Sequence, residues 1–195
     1  MTPSVPTSHF DGLYAARADP WAYETSAYEA DKYRASLAAL PRERYGRALE
    51  VGCSIGVLTA RLAERCDALV ALDASAAPLA RARARCAAHP HVEVRQARFP
   101  TATFRGPFDL AVVSEVGYYL SAADLGRARN RLAALAAPGA HLLLVHWLGS
   151  TGGPLTADAV HGAFLGDPRW RPLAASRGGA RKPPGYRLDV FERAG

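Results

Sequence analysis

Residues 48–59, Ala48-Leu49-Glu50-Val51-Gly52-Cys53-Ser54-Ile55-Gly56-Val57-Leu58-Thr59, decide the fold: an apolar run ends in an acid, a turn bounded by two glycines follows, and a helix opens. Gly52 and Gly56 free the backbone to bend sharply and approach a ligand, while the first N–H groups of the helix point into the same space. Gly52, Cys53, Ser54 and Gly56 are therefore placed around a nucleotide-like cofactor. Glu50 narrows the choice. A dinucleotide turn runs G-x-G-x-x-G to receive a pyrophosphate, beside which a carboxylate would be a poor neighbour. Here the spacing is Glu-x-Gly-x-x-x-Gly, and the acid suits a cofactor that carries positive charge.

The next apolar run, Ala68–Asp73, ends in an acid 21 residues after Gly52. An acid at that interval can accept both hydroxyls of a ribose, and by itself fits either kind of nucleotide cofactor. Together with Glu50 it points to S-adenosylmethionine, whose ammonium and sulfonium are both cationic and whose product is S-adenosylhomocysteine. The stretch Asp73-Ala74-Ser75-Ala76-Ala77-Pro78-Leu79-Ala80-Arg81-Ala82 resembles the second-strand signature of class I methyltransferases, in which a helix starts directly after the ribose acid.

A chain of 195 residues, 49% apolar, can bury one substantial core, and residues 1–45 and 46–195 read as an N-terminal tail with helical cap and a cofactor-binding core of the same domain. No apolar stretch reaches the roughly 18 residues of a membrane span, and the N-terminus lacks the pattern of a secretory signal, so no membrane association and a cytoplasmic location are expected. Cys53, Cys66 and Cys86 are odd in number and lack metal-ligand spacing, which argues for reduced thiols and no metal site. The net charge of +6 comes from arginines scattered along the chain, with lysine only at 32 and 182, and reads as a solvated surface rather than a nucleic-acid footprint. The cluster from Arg177 to Lys182 reads as an exposed loop able to hold anions. Oligomeric state stays open at this level.

Residues 1–20 show little periodicity, so the extreme end is expected to be mobile, with order beginning near Trp21. Ser26-x-x-Glu29 is a capping box, after which Ala30, Tyr33, Leu37 and Leu40 recur at helical spacing until Pro41. Strands and helices then alternate: strand 47–51, helix 55–65, strand 68–73, helix 76–87, strand 92–97, strand 108–114, helix 121–136 and strand 140–146. Such alternation implies an α/β fold, a parallel, doubly wound sheet covered on both faces. A helix over 156–165 and two strand-like runs at 171–176 and 186–193 follow, with glycines and prolines between them that force a reversal. The expected architecture is a Rossmann-like, mostly parallel seven-stranded sheet that ends in an antiparallel hairpin and carries an N-terminal helical cap.

Between Phe10 and Trp147 the chain resembles nodulation protein S and its bacterial relatives, on Asp19-Pro20-Trp21, Thr25-Ser26-Ala27-Tyr28-Glu29-x-x-Lys32-Tyr33, residues 48–56, and Ser114-Glu115-Val116-Gly117-Tyr118-Tyr119-Leu120. The resemblance implies the class I methyltransferase fold and S-adenosylmethionine-dependent N-methylation of a deacetylated glucosamine on a chitin-like oligosaccharide. It also places Arg98 and Phe99, after the third strand, where related enzymes hold the adenine, with core packing the alternative for Phe99. Ser54 departs from the wider superfamily, where a middle glycine is common, and is tolerable there if its backbone stays in an ordinary region.

Methyl transfer is a direct displacement, so alignment of the acceptor and exclusion of water carry most of the work. An amine acceptor must lose a proton, and Glu115 and His146, just beyond the fourth and fifth strands, are the candidate groups. Glu115 could instead contact cofactor, as Ser114 is expected to, or cap a turn; His146 could be a satisfied structural residue. Trp21, Tyr118 and Tyr119 are candidates for the acceptor wall, since aromatic faces attract cations and sugar C–H surfaces. Tyr28 and Tyr33 fit packing between cap and sheet better, and Lys32 could be an ordinary polar-face residue. An O-methyltransferase of another metabolite keeps every cofactor assignment and changes only the nucleophile. Base methylation in nucleic acid is disfavoured because Ser114-Glu115-Val116-Gly117 does not resemble the Asn/Asp-Pro-Pro-aromatic motif, and a nicotinamide oxidoreductase is disfavoured by Glu50. A non-catalytic cofactor-binding protein would show binding without turnover.

Overall fold

Seven strands, β1 Tyr45–Val51, β2 Cys66–Asp73, β3 Val92–Gln96, β4 Phe108–Ser114, β5 Ala136–Trp147, β6 Trp170–Gly178 and β7 Tyr186–Arg193, form one sheet in the order β3-β2-β1-β4-β5-β7-β6. This is a computed structural model, and it describes residues 2–179 and 183–195. β1 to β5 are parallel; β7 enters antiparallel between β5 and β6, so the expected C-terminal hairpin is present. The inner parallel strands β1, β2, β4 and β5 are buried on both faces, with Leu49, Leu72, Val112 and Leu144 inaccessible, while the edge strand β3 is not. The order reverses at β1 and β4, and a crevice opens outside their carboxyl ends, where α/β sheets bind ligands.

Among the described residues six α-helices cover the sheet: α1 Thr7–Ala16, α2 Ala27–Ala38, α3 Val57–Ala63, α4 Leu79–Arg85, α5 Ala122–Leu135 and α6 Ala157–Leu165. α5 and α6 begin as their sequences dictate, with Ser121 Oγ accepting from Asp124 N–H and Thr156 Oγ1 accepting from Ala159 N–H. β5 starts four residues before the predicted strand because Ala136 pairs with Phe108 and the register then shifts, the extra residues being taken up around Gly139 at φ +72°.

Two expectations about the N-terminal region are corrected. Residues 7–16 are helical, and Thr7, Phe10, Leu13 and Tyr14 turn one face to the crevice. That segment is anchored by Val5 N–H on Tyr119 O at 2.8 Å, Ser4 Oγ on Asp124 at 2.5 Å and Ser75 Oγ on Asp11 at 2.6 Å. In α2 the cap forms, Glu29 N–H donating to Ser26 Oγ, but the reciprocal half of the box does not: Ser26 N–H donates to Ala22 O. The Glu29 carboxylate turns inward instead, and the buried face of α2 consists of Tyr28, Glu29, Lys32, Tyr33 and Ser36 rather than an apolar stripe. The three cysteines are buried free thiols. Arg181 and Lys182, the cationic end of the predicted anion loop, lie outside the described residues. No described helix is long and apolar enough to cross a membrane.

Candidate active site

The crevice is a cavity of about 440 Å³ roofed by α1 and α2. One half is built by the turn after β1. Gly52 sits at φ +87°, and its N–H and that of Cys53 donate to Leu72 O at 2.7 and 2.8 Å, which locks the turn onto β2. A Cβ on Gly52 would overlap Val116 Cγ2. Ser54 stands at φ +49°, outside the ordinary region expected for it; two bonds hold it there, Ser54 N–H to Asp73 Oδ2 at 2.9 Å and Ser54 Oγ with Tyr14 OH at 2.5 Å. Gly56, at φ +80°, caps α3, and a Cβ there would stand only 2.9 Å from Ala82 Cα. It serves helix packing and does not line the cavity, a correction to its expected role. Cys53 is likewise buried beneath the turn, in a narrow recess with Glu50 rather than in the main cavity.

Glu50 is 1% exposed, and its Oε2 has no hydrogen-bond partner. Burial pushes its carboxyl up to about 7, opposed by the Thr59 hydroxyl and reinforced by Asp73. A buried acid left in this state fits a cationic group brought in from outside the chain. Asp73 lies in the cavity wall; its two oxygens accept from Ser75 N–H and Ser54 N–H, both at 2.9 Å, and burial raises its carboxyl against those bonds. Each oxygen keeps a lone pair for a ribose hydroxyl. Ala74, Arg98, Phe99 and Ser114 also line the cavity.

The other half is aromatic and charged. Trp21 stacks with Tyr23 at 5.5 Å and meets Tyr14 edge-on at 5.5 Å; Tyr118 and Tyr119 meet edge-on at 4.7 Å, and Phe10 closes on Tyr119 at 4.9 Å. Between these walls Lys32, 1% exposed, lies 2.8 Å from Glu29 and 2.5 Å from Glu115. Burial pulls the Lys32 ammonium down, but the two carboxylates outweigh it and hold the group above its ordinary value. The trio carries a net charge of −1. Glu115 sits at φ +58°, where side chains are rare. Its Oε1 accepts from Lys32, and its Oε2 accepts from Trp147 N–H at 3.0 Å and from the Tyr118 hydroxyl. Tyr28, expected to pack, both packs edge-on against Tyr186 at 6.1 Å and lines the cavity.

His146 is not in the cavity. It is fully buried, its Nε2 accepting from Gly117 N–H at 3.0 Å and its Nδ1 lying 3.1 Å from His161 Nε2. Burial, then His161 and Lys32, keep its imidazole well below the ordinary range. It is corrected from a candidate base to a support of the 3₁₀ turn Gly117–Tyr119.

Among the cavity-lining residues given no site role from sequence are Phe10, Tyr14, Tyr23 and Glu29, and the polar-face alternative for Lys32 fails because the residue is buried. Phe10-x-x-Leu13-Tyr14 spacing was a usable signal for α1. Glu29 and Lys32, an i,i+3 pair on a helix, offer no signal that separates a buried pair from a solvated one.

Sheet order, reversed C-terminal hairpin and cofactor turn together define the class I methyltransferase architecture. The family model "Nodulation protein S (NodS)" matches residues 13–146, and the chain belongs to that family. Nodulation protein S of Sinorhizobium fredii is 33% identical over 130 residues, 66% of this chain and 60% of that protein. The Bradyrhizobium diazoefficiens protein is 34% identical over 122 residues, 62% of this chain and 58% of its own, so the chain spans less than two thirds of the length of these relatives. Among solved structures, one from Pseudomonas syringae, provisionally named a methyltransferase, is 41% identical with a TM-score of 0.74, covering 86% of this chain and all of that one. The N-methyltransferase NodS of Bradyrhizobium japonicum WM9, in complex with S-adenosylhomocysteine, has a TM-score of 0.85 at 24% identity, over 96% of this chain and 98% of its own, a likeness of fold.

Proposed function

We propose that the protein is an S-adenosylmethionine-dependent methyltransferase that N-methylates a small amine, an amino sugar or deacetylated chito-oligosaccharide-like acceptor. The observation that carries this reading is the acceptor half of the cavity, where a Glu29–Lys32–Glu115 trio of net charge −1 is set among aromatic rings beside a turn suited to a cationic nucleotide cofactor. The family and its N-methyltransferase member of like fold support it.

Gly52, Ser54, Asp73, Ala74, Arg98, Phe99 and Ser114, which line the cavity, would hold S-adenosylmethionine, with Asp73 accepting from the ribose and Glu50, in the adjoining recess with its Oε2 unpartnered, facing positive charge. Bound there, the cofactor supplies an electrophilic methyl group on sulfur. Glu115 already accepts three hydrogen bonds and, of roughly four acceptor positions on a carboxylate, keeps one for an N–H of the neutral acceptor amine, whose lone pair is then free to attack the methyl group and leave a methylammonium. It thus binds and orients the amine. Trp21, Tyr118 and Tyr119 face the sugar and, with residues 1–45 acting as a cap over the 46–195 core, keep water out. The test is to incubate the protein with methyl-labelled cofactor and either chitosan oligomers or their fully N-acetylated counterparts. Label on nitrogen of the free-amine oligomers alone is expected; label on a hydroxyl, or on neither series, would overturn the amine assignment.

A further inference from the structure

Three buried groups outside the cavity form a single line of hydrogen bonds: Asp189 Oδ2 to His161 Nδ1 at 2.8 Å, His161 Nε2 to His146 Nδ1 at 3.1 Å, and His146 Nε2 to Gly117 N–H at 3.0 Å. They come from β7, α6 and β5, and His146 and His161 are both 0% exposed. The chemistry at one end fixes the whole line. A backbone N–H can only donate, so His146 Nε2 is an acceptor and Nδ1 carries the proton. His161 Nε2 must then accept, which leaves the His161 proton on Nδ1, where Asp189 takes it. Arg187 holds the same Asp189 oxygen from Nε at 3.1 Å and Nη2 at 2.9 Å.

The line ends on the element that makes the acceptor wall. Gly117 opens the 3₁₀ turn carrying Tyr118 and Tyr119, and Tyr118 reaches back to Glu115. A Cβ on Gly117 would stand 2.9 Å from His146 Nε2 and closer still to Val160, so the turn is seated directly on the imidazole. Tyr118 also meets the His146 ring edge-on at 5.2 Å. We infer that His146 and His161 are positioning residues for the acceptor, their single permitted tautomer holding the Gly117 N–H and through it the rings of Tyr118 and Tyr119. The inference rests on the reading of that half of the cavity as the acceptor site. A ring that only filled space would leave the tautomer free.

The test combines nitrogen-15 spectroscopy of the histidines with His161→Phe, which keeps a ring and removes the acceptor, and His161→Gln, which can accept and donate. In the wild-type protein His146 and His161 are both expected as neutral Nδ1–H tautomers. In His161→Phe, amide exchange at Gly117 is expected to accelerate and kcat/KM for a chitosan oligomer to fall, each about tenfold, as for loss of one buried hydrogen bond. Affinity for S-adenosylhomocysteine is expected to stay within about twofold, because the cofactor turn is untouched, and His161→Gln to recover most of the loss. A proton on His146 Nε2 in the wild type, or unchanged Gly117 exchange in folded His161→Phe, would overturn the inference. If His161→Phe does not fold, the wild-type tautomers and His161→Gln still decide. Absence of amine methylation by the wild type would defeat the acceptor reading, while tautomer and exchange judge the positioning separately.

Discussion

Glu50→Gln should stabilise the ligand-free protein in a pH-dependent way while weakening its grip on the cofactor. The Glu50 carboxyl is fully buried, and burial raises it from 4.5 to about 7. Below 4.5 it is neutral folded and unfolded alike, so it contributes no pH dependence. Between 4.5 and 7 the native state binds the proton that the unfolded chain releases, and stability falls as pH rises. At about 1.36 kcal/mol per unit, that window amounts to about 3 kcal/mol, all of it lost by neutral pH. Gln cannot ionise, so the Glu50→Gln variant escapes the loss. Urea denaturation of both proteins between pH 5 and pH 8, without ligand, should show the variant gaining on the wild type by most of that amount. Titration with S-adenosylhomocysteine should show the opposite ranking, with wild-type affinity falling about tenfold per unit below pH 7 and the weaker affinity of the variant flat. A stability difference that does not change with pH would refute the reasoning, because any fixed offset reflects amide packing and not an ionisation.

Asp73→Asn should weaken S-adenosylhomocysteine about tenfold or more by calorimetry, since an amide cannot accept from Ser54 N–H, Ser75 N–H and a ribose at once. Gly56→Ala should destabilise the fold, because φ +80° disfavours a side chain and the added Cβ would stand only 2.9 Å from Ala82 Cα; a loss of about 1–3 kcal/mol in urea melts is expected. Lys32→Met should cost about 3–5 kcal/mol in urea melts at pH 7 by leaving the buried Glu29 and Glu115 facing each other without a cation between them; an unchanged melt would contradict it.

The sheet and the cofactor turn were legible because they rest on local chemistry: unbroken apolar runs mark strands buried on both faces, and an acid before a glycine-bounded turn has few uses. The hairpin at β6 and β7 was legible from the glycines and prolines between its strands. The acceptor half was not. Glu29 and Lys32 fit a solvated helix face as well as a buried one, and only the approach of Glu115, 83 residues away, makes them a trio. α1 escaped notice because it buries no residue completely and owes its place to contacts with Ser54, Ser75 and Tyr119 far along the chain. His146 was placed at the right strand end but on the wrong side, since the partner that draws it inward, His161, belongs to a helix whose packing no local pattern reveals. Ser54 shows a different failure: its positive φ is held by Asp73 and Tyr14, neither adjacent in sequence.

The most direct test is calorimetric titration of the purified protein with S-adenosylhomocysteine, with NAD as control under the same conditions. Saturable binding of one S-adenosylhomocysteine per chain and none of NAD is predicted. Binding of NAD, or of neither ligand by folded protein, would contradict the assignment of the Glu50–Asp73 turn and the methyl-transfer chemistry built on it.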